Sequence, residues 1–194
     1  MNEWITMKAR NTLLLIFFIS AFPLVAACAT YFLWQPTKRM NHGDLLKPTT
    51  VPVSAMTTAE GGSFDLTTLR GKWIMVQMDA STCDERCRTK LYTMRQIRVA
   101  QGKDMLRLER VWLLTDDKLP LPELLKEHEG IRVVRAAGSP LLAALKLQTP
   151  VDSTASIYMI DPMGNLMMRF PQSTDPVGMI KDLNRLLRPG RIGA

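Results

Sequence analysis

Hydrophobic positions fall along the chain in distinct patterns. Thr12 to Trp34 (TLLLIFFISAFPLVAACATYFLW) is uncharged throughout, and at about 1.5 Å per helical residue such a run crosses a hydrocarbon layer of about 30 Å. Gln35 to Glu60 holds Pro36, Pro48 and Pro52 among polar residues with no sustained period, which predicts a linker. Beyond Gly61 short apolar runs alternate with helical periods. Trp73–Met78 and Leu108–Leu114 read as buried strands and Ile131–Ala136 as another. Helices are predicted over Arg88–Ala100, Leu121–Glu129 and Ser139–Leu147, the last two with prolines near their starts. Ile157–Ile160 and Leu166–Phe170 flank Asp161-Pro162-Met163-Gly164 as a hairpin. Asp175–Leu187 closes the pattern as an amphipathic helix with Val177, Ile180, Leu183 and Leu187 on one face.

Strands alternating with helices and ending in a hairpin plus a helix describe an α/β sandwich of thioredoxin type behind a single N-terminal transmembrane helix. The expected division is a tail at 1–11, an anchor at 12–34, a linker at 35–60, a domain at 61–188 and a tail at 189–194. Trp4 and Trp34 sit near the ends of the span, where interfacial aromatics belong. Val25-Ala26-Ala27-Cys28 resembles a lipoprotein cleavage site. The apolar run continues through Trp34, however, which favours an intact anchor with an inert Cys28. Lys8 and Arg10 before the span are balanced by Lys38 and Arg39 after it. Orientation is therefore argued from the thiols, which suit an oxidising exterior.

The formal charge of +7 changes little. Its basic residues are scattered and aromatics are few, so a nucleic-acid surface is not expected. A phosphate loop, a dinucleotide fingerprint and paired C-x-x-C zinc motifs are all missing from the sequence. Neither His42 nor His128 has the neighbours of a serine-hydrolase base.

The chemistry lies in Cys83 and Cys87, at the junction between the strand ending at Met78 and the following helix. Unpaired N–H groups and the helix dipole there favour thiolate. Arg86, Arg88 and Lys90 push in the same direction, whereas Asp84 and Glu85 oppose it. Two thiols about 6 Å apart at Cα suit a disulfide or a shared soft metal ion such as Cu(I). Cys83, nearer the loop, is expected to be the more exposed and to attack first.

Phe64-x-Leu66, Leu69-x-Gly71-Lys72-Trp73, the Cys83-x-x-x-Cys87 pair and Asp152-x-Thr154-Ala155-x-x-Tyr158-x-x-Asp161-Pro162-x-Gly164 together resemble the Sco/SenC proteins. That resemblance spans roughly Gly61 to Leu187. It implies a membrane-anchored thioredoxin fold that assembles the dinuclear copper centre of cytochrome c oxidase. The implied partner is the oxidase copper-centre subunit or another assembly factor, and the implied place is a bacterial inner membrane with the domain in the periplasm. The family's metal site uses two cysteines and a histidine directly after the aspartate of the last motif; this chain has Ser153 there, and lacks a proline after each cysteine. A hydroxyl is a poor ligand for soft copper. His128 is expected to be a solvated surface residue and His42 to lie in the linker. Of the 13 methionines, Met75, Met94, Met105 and Met159 read as core, and Met78 and Met163 as the two to expect near the cysteine loop. The reading is a thiol-disulfide reductant or Cu(I) carrier through Cys83 and Cys87, with a non-catalytic assembly scaffold as the rival.

Overall fold

A computed structural model describes residues 2–33, 41–148 and 153–188. The chain divides into two compact units, residues 1–40 and 41–194. In the first, α1 (Asn2–Leu33) is one helix that runs unbroken past Pro23 and Cys28. The expected tail before residue 12 is thus largely helical. Asn11–Phe32 is long and apolar enough to cross a membrane. Two of its hydroxyls bond within the helix, Ser20 Oγ donating to the Ile16 carbonyl at 2.6 Å and Thr30 Oγ1 to that of Ala26 at 2.7 Å, which suits a helix in lipid. Trp34, Asp152 and the tail at 189–194 lie outside the described residues.

The second unit is built on a mixed sheet of eight strands in the order β1-β8-β7-β4-β5-β6-β2-β3. These are β1 (Asp44–Thr50), β2 (Met56–Thr58), β3 (Ser63–Phe64), β4 (Trp73–Asp79), β5 (Leu108–Leu114), β6 (Arg132–Arg135), β7 (Ile157–Ile160) and β8 (Asn165–Phe170). Parallel β4, β5 and β6 form the centre of the sheet, with β4 and β5 buried almost throughout on both faces. Antiparallel β7 and β8 form the expected hairpin. Along β4, Ile74, Val76 and Met78 face a core shared with Leu141, Leu142 and Leu145 of α4 (Pro140–Gln148). Trp73 and Met75 face the other way, onto α2 (Glu85–Ala100) and α5 (Pro176–Leu186). Leu124 of α3 (Pro122–Glu127) packs on that same side with Leu91, Trp112 and both cysteines. The α/β thioredoxin-like sandwich is the architecture the sequence predicts.

Several expectations need correction. Residues 41–60 are not a linker. β1 pairs with β8 and β2 with β3 and β6, and Pro48 is accommodated because β1 is an edge strand, where a missing donor costs no ladder bond. His42 is fixed to α5: the Asp182 carboxylate accepts from His42 N at 2.7 Å, Gly43 N at 3.0 Å and His42 Nδ1 at 3.2 Å. That buried carboxylate explains why the inner face of α5 holds Gly178, Met179 and Asp182 while Val177 is exposed. A Cβ at Gly178 would lie 2.5 Å from the His42 ring. His128 is buried, not solvated; burial lowers its pKa, so the imidazole is held neutral.

Candidate functional site

The cysteines sit where β4 hands over to α2. Asp84 caps the helix through its carboxylate, which accepts the Cys87 N–H at 2.9 Å. The helix therefore starts at Glu85, not at Arg88, and Cys87 lies in its first turn. Cys83 stands before the cap with φ of +41°, a left-handed conformation that a non-glycine residue adopts at a cost. The two are joined as a disulfide with Cα atoms 5.1 Å apart. Cys83 is 3% and Cys87 0% exposed, so the expected exposure of Cys83 is not found. The loop beneath Cys83 is tied down by Asp116, whose carboxylate accepts from Ser81 N at 3.0 Å and Ser81 Oγ at 2.8 Å.

Polar side chains that the sequence reading passed over lie under the pair. Gln77, fully buried on β4, donates its amide N–H to Cys87 Sγ at 3.6 Å, and its Oε1 has no partner among the described residues. Two residues on, Asp79 pairs with buried Lys90 of α2 at 2.6 Å, and the Lys90 ammonium also donates to the Thr154 carbonyl. Burial raises the Asp79 carboxyl pKa, with Lys90 opposing it, and burial lowers that of Lys90. Lys90 thus directs its charge at Asp79, while Arg86 pairs with Asp84 at 3.4 Å. The Asp84 carboxyl is itself held below the usual range by the Cys87 N–H. The signal for this network was present in WIMVQMD: period-two alternation puts Gln77 and Asp79 on one face of an otherwise apolar strand.

Other expected ligands are elsewhere. Met78 points into the core beneath α4, on the sheet face opposite Gln77. Met163 is exposed in the β7–β8 turn at the far end of β4, where Gly71 N donates to the Pro162 carbonyl. Ser153 lies in the short turn before β7, its carbonyl accepting from the Tyr158 hydroxyl at 2.9 Å. His42 is held by Asp182. Among the described residues no group of three His, Cys, Asp or Glu is arranged to hold a metal. With Ser153 in place of an imidazole and the Lys90 ammonium bonded to the neighbouring Thr154 carbonyl, the donor set does not fit a three-ligand copper site.

The fold is shared with solved structures. Yeast Sco1 with copper bound matches with a TM-score of 0.61 and 20% identity over 75% of this chain and 98% of that one. Bradyrhizobium japonicum ScoI with copper bound gives 0.54 and 20% over 71% and 99%. A putative protein disulfide isomerase from Bacteroides thetaiotaomicron gives 0.56 and 19% over 75% and 95%. The resemblance read from the motifs thus holds for the fold. No curated protein matches the chain. Residues 73–189, from β4 past the end of α5, match the family described as the transmembrane-like, thioredoxin-like C-terminal domain, and the chain belongs to that family.

Proposed function

We propose that this chain is a membrane-anchored thiol-disulfide reductant with a Sco-like thioredoxin fold that serves cytochrome c oxidase biogenesis, its domain facing the periplasm of a bacterial inner membrane. The observation that carries the reading is the Cys83–Cys87 disulfide at the end of β4, over a polar network and with no third metal ligand among the described residues. In the reduced protein the Cys83 thiolate attacks a client disulfide. The Cys87 thiolate then attacks Cys83 in the mixed disulfide, so that two electrons pass to the client and the 83–87 bond re-forms. The client is the oxidase copper-centre subunit or another assembly factor. Copper as cargo is the second use of the same pair: solved Sco structures carry it, and reduced Cys83 and Cys87 would supply two soft donors for Cu(I).

Burial of both sulfurs favours one competing reading, a scaffold with an inert disulfide. Thiol trapping in cells separates the two. A reductant shows a mixed population of oxidised and reduced pair, and its Cys87→Ser variant accumulates a mixed disulfide that Cys83→Ser does not. Full oxidation, with normal oxidase assembly in the double variant at normal abundance, would establish the scaffold.

A further inference from the structure

Cys87 is fully buried in an apolar cluster with Leu91, Trp112, Leu114, Leu124 and Val133. In such surroundings a thiolate is disfavoured, yet resolving a mixed disulfide requires one. Gln77 reaches its sulfur from the centre of the sheet, with the amide N–H at 3.6 Å and the amide oxygen buried and unpartnered among the described residues. A buried acceptor without a donor is destabilising, and an apolar side chain would fill the same place on β4 without that cost. The disulfide sulfur is also a weak acceptor, so the oxidised state shown here uses neither end of the amide well.

We propose that Gln77 is a positioning residue for Cys87, donating its N–H to the Cys87 thiolate and, by rotation of the amide, accepting the S–H through Oε1 when that cysteine is protonated. Each protonation state of the reduced thiol then uses one end of the amide, the thiolate its N–H and the thiol its oxygen. The proposal rests on the reductant reading for its purpose but concerns the free thiol itself. When Cys87 ionises, its proton leaves to solvent; its sulfur then bonds to Cys83 and the client sulfur departs as thiolate. Charged groups also bear on this sulfur. Asp79 lies on β4, and Asp84, Glu85, Arg86, Arg88 and Lys90 lie at the start of α2. Asp116 follows β5 and His128 follows α3. All of them are retained in the comparison below, so their contribution cancels.

The test uses the full chain in detergent with Cys28→Ser and Cys83→Ser, which leaves Cys87 as the single thiol. Thiolate absorbance against pH gives its pKa with no need for reagent access. Gln77→Met is expected to raise that pKa by about one unit, a tenfold loss of thiolate at neutral pH, and Gln77→Glu to raise it further. A filler role predicts the same curve for Met and Gln, and that result would overturn the proposal. Should either variant misfold, the parent carries the test by NMR. The Gln77 side-chain amide protons must shift with the Cys87 titration, and an amide indifferent to it defeats the idea. Because no client is involved, failure here leaves the reductant reading to its own trapping experiment, and an inert pair in cells leaves this measurement intact.

Discussion

The β1 edge of the sheet and the cysteine end of β4 bury polar groups for opposite reasons. At the edge, the buried carboxylate of Asp182 takes up backbone donors of residues 42 and 43 and fixes the start of the domain to α5. At the cysteine end, Asp79 and Lys90 are buried against each other, and burial works against the charged form of both. Polar burial of the first kind completes hydrogen bonds that the backbone would otherwise lack. Burial of the second kind is a drain on stability that an apolar pair would avoid. The two clusters are separated by β8 and β7.

The largest effect should come from splitting the buried pair. Lys90→Met leaves Asp79 uncompensated and is expected to cost about 3–5 kcal/mol by denaturant unfolding, whereas Lys90→Met with Asp79→Leu should equal or exceed the parent. A double variant as weak as the single one would erase the contrast between the two clusters. The same site sets a pH dependence. Asp79, with its pKa raised on folding, contributes stability that is fully present below the ordinary aspartate value and lost as pH rises through the raised one. Relative to Asp79→Asn, the parent should therefore weaken with rising pH across that window.

At the β1 edge no substitution should gain. Asp182→Ala strands the donors of residues 42 and 43 and is expected to cost about 2–3 kcal/mol. Gly178→Ala drives a methyl to 2.5 Å from the His42 ring, with an expected cost of about 1–3 kcal/mol. A neutral result for both would show that residues 41–43 contribute nothing to the domain. Reducing the disulfide, which closes a sequence separation of only 4, should lower stability by about 2 kcal/mol with the near-ultraviolet dichroism retained. The smallest effect concerns Cys83: with φ at +41°, Cys83→Gly should be more stable than Cys83→Ser by about 1 kcal/mol once the disulfide is gone. A serine variant equal to glycine would mean the left-handed turn relaxes on reduction.

Much of the fold is legible because β4, β5 and β7 are buried on both faces and so are predominantly apolar. β1 is not legible in the same way. As an edge strand it is mostly exposed, and its polar residues and Pro48 look like linker. His128 misleads for a related reason: Lys126, Glu127 and Glu129 around it suggest a surface, but a helix as short as α3 buries one position per turn whatever its neighbours are. Of the site, the cysteines are visible as a spacing, whereas Gln77, Asp79 and Lys90 become partners only through the register that places β4 beneath α2. Lys90 in particular reads, with Arg86 and Arg88, as a cation that favours thiolate. Nothing local reveals that it closes over an aspartate on β4 and a carbonyl before β7.

The clip at Asp182 also has a mechanical meaning. Any pull transmitted along the chain from α1 enters the domain at Asn41 and meets first the bonds from His42 and Gly43 to that carboxylate, then the β1–β8 ladder. Those contacts lie at one edge of the sheet, with β8 and β7 between them and the strand that carries the cysteine loop. Tension on the tether is therefore spent on hydrogen bonds that take no part in sulfur chemistry, and the spacing of Cys83 and Cys87 is isolated from it.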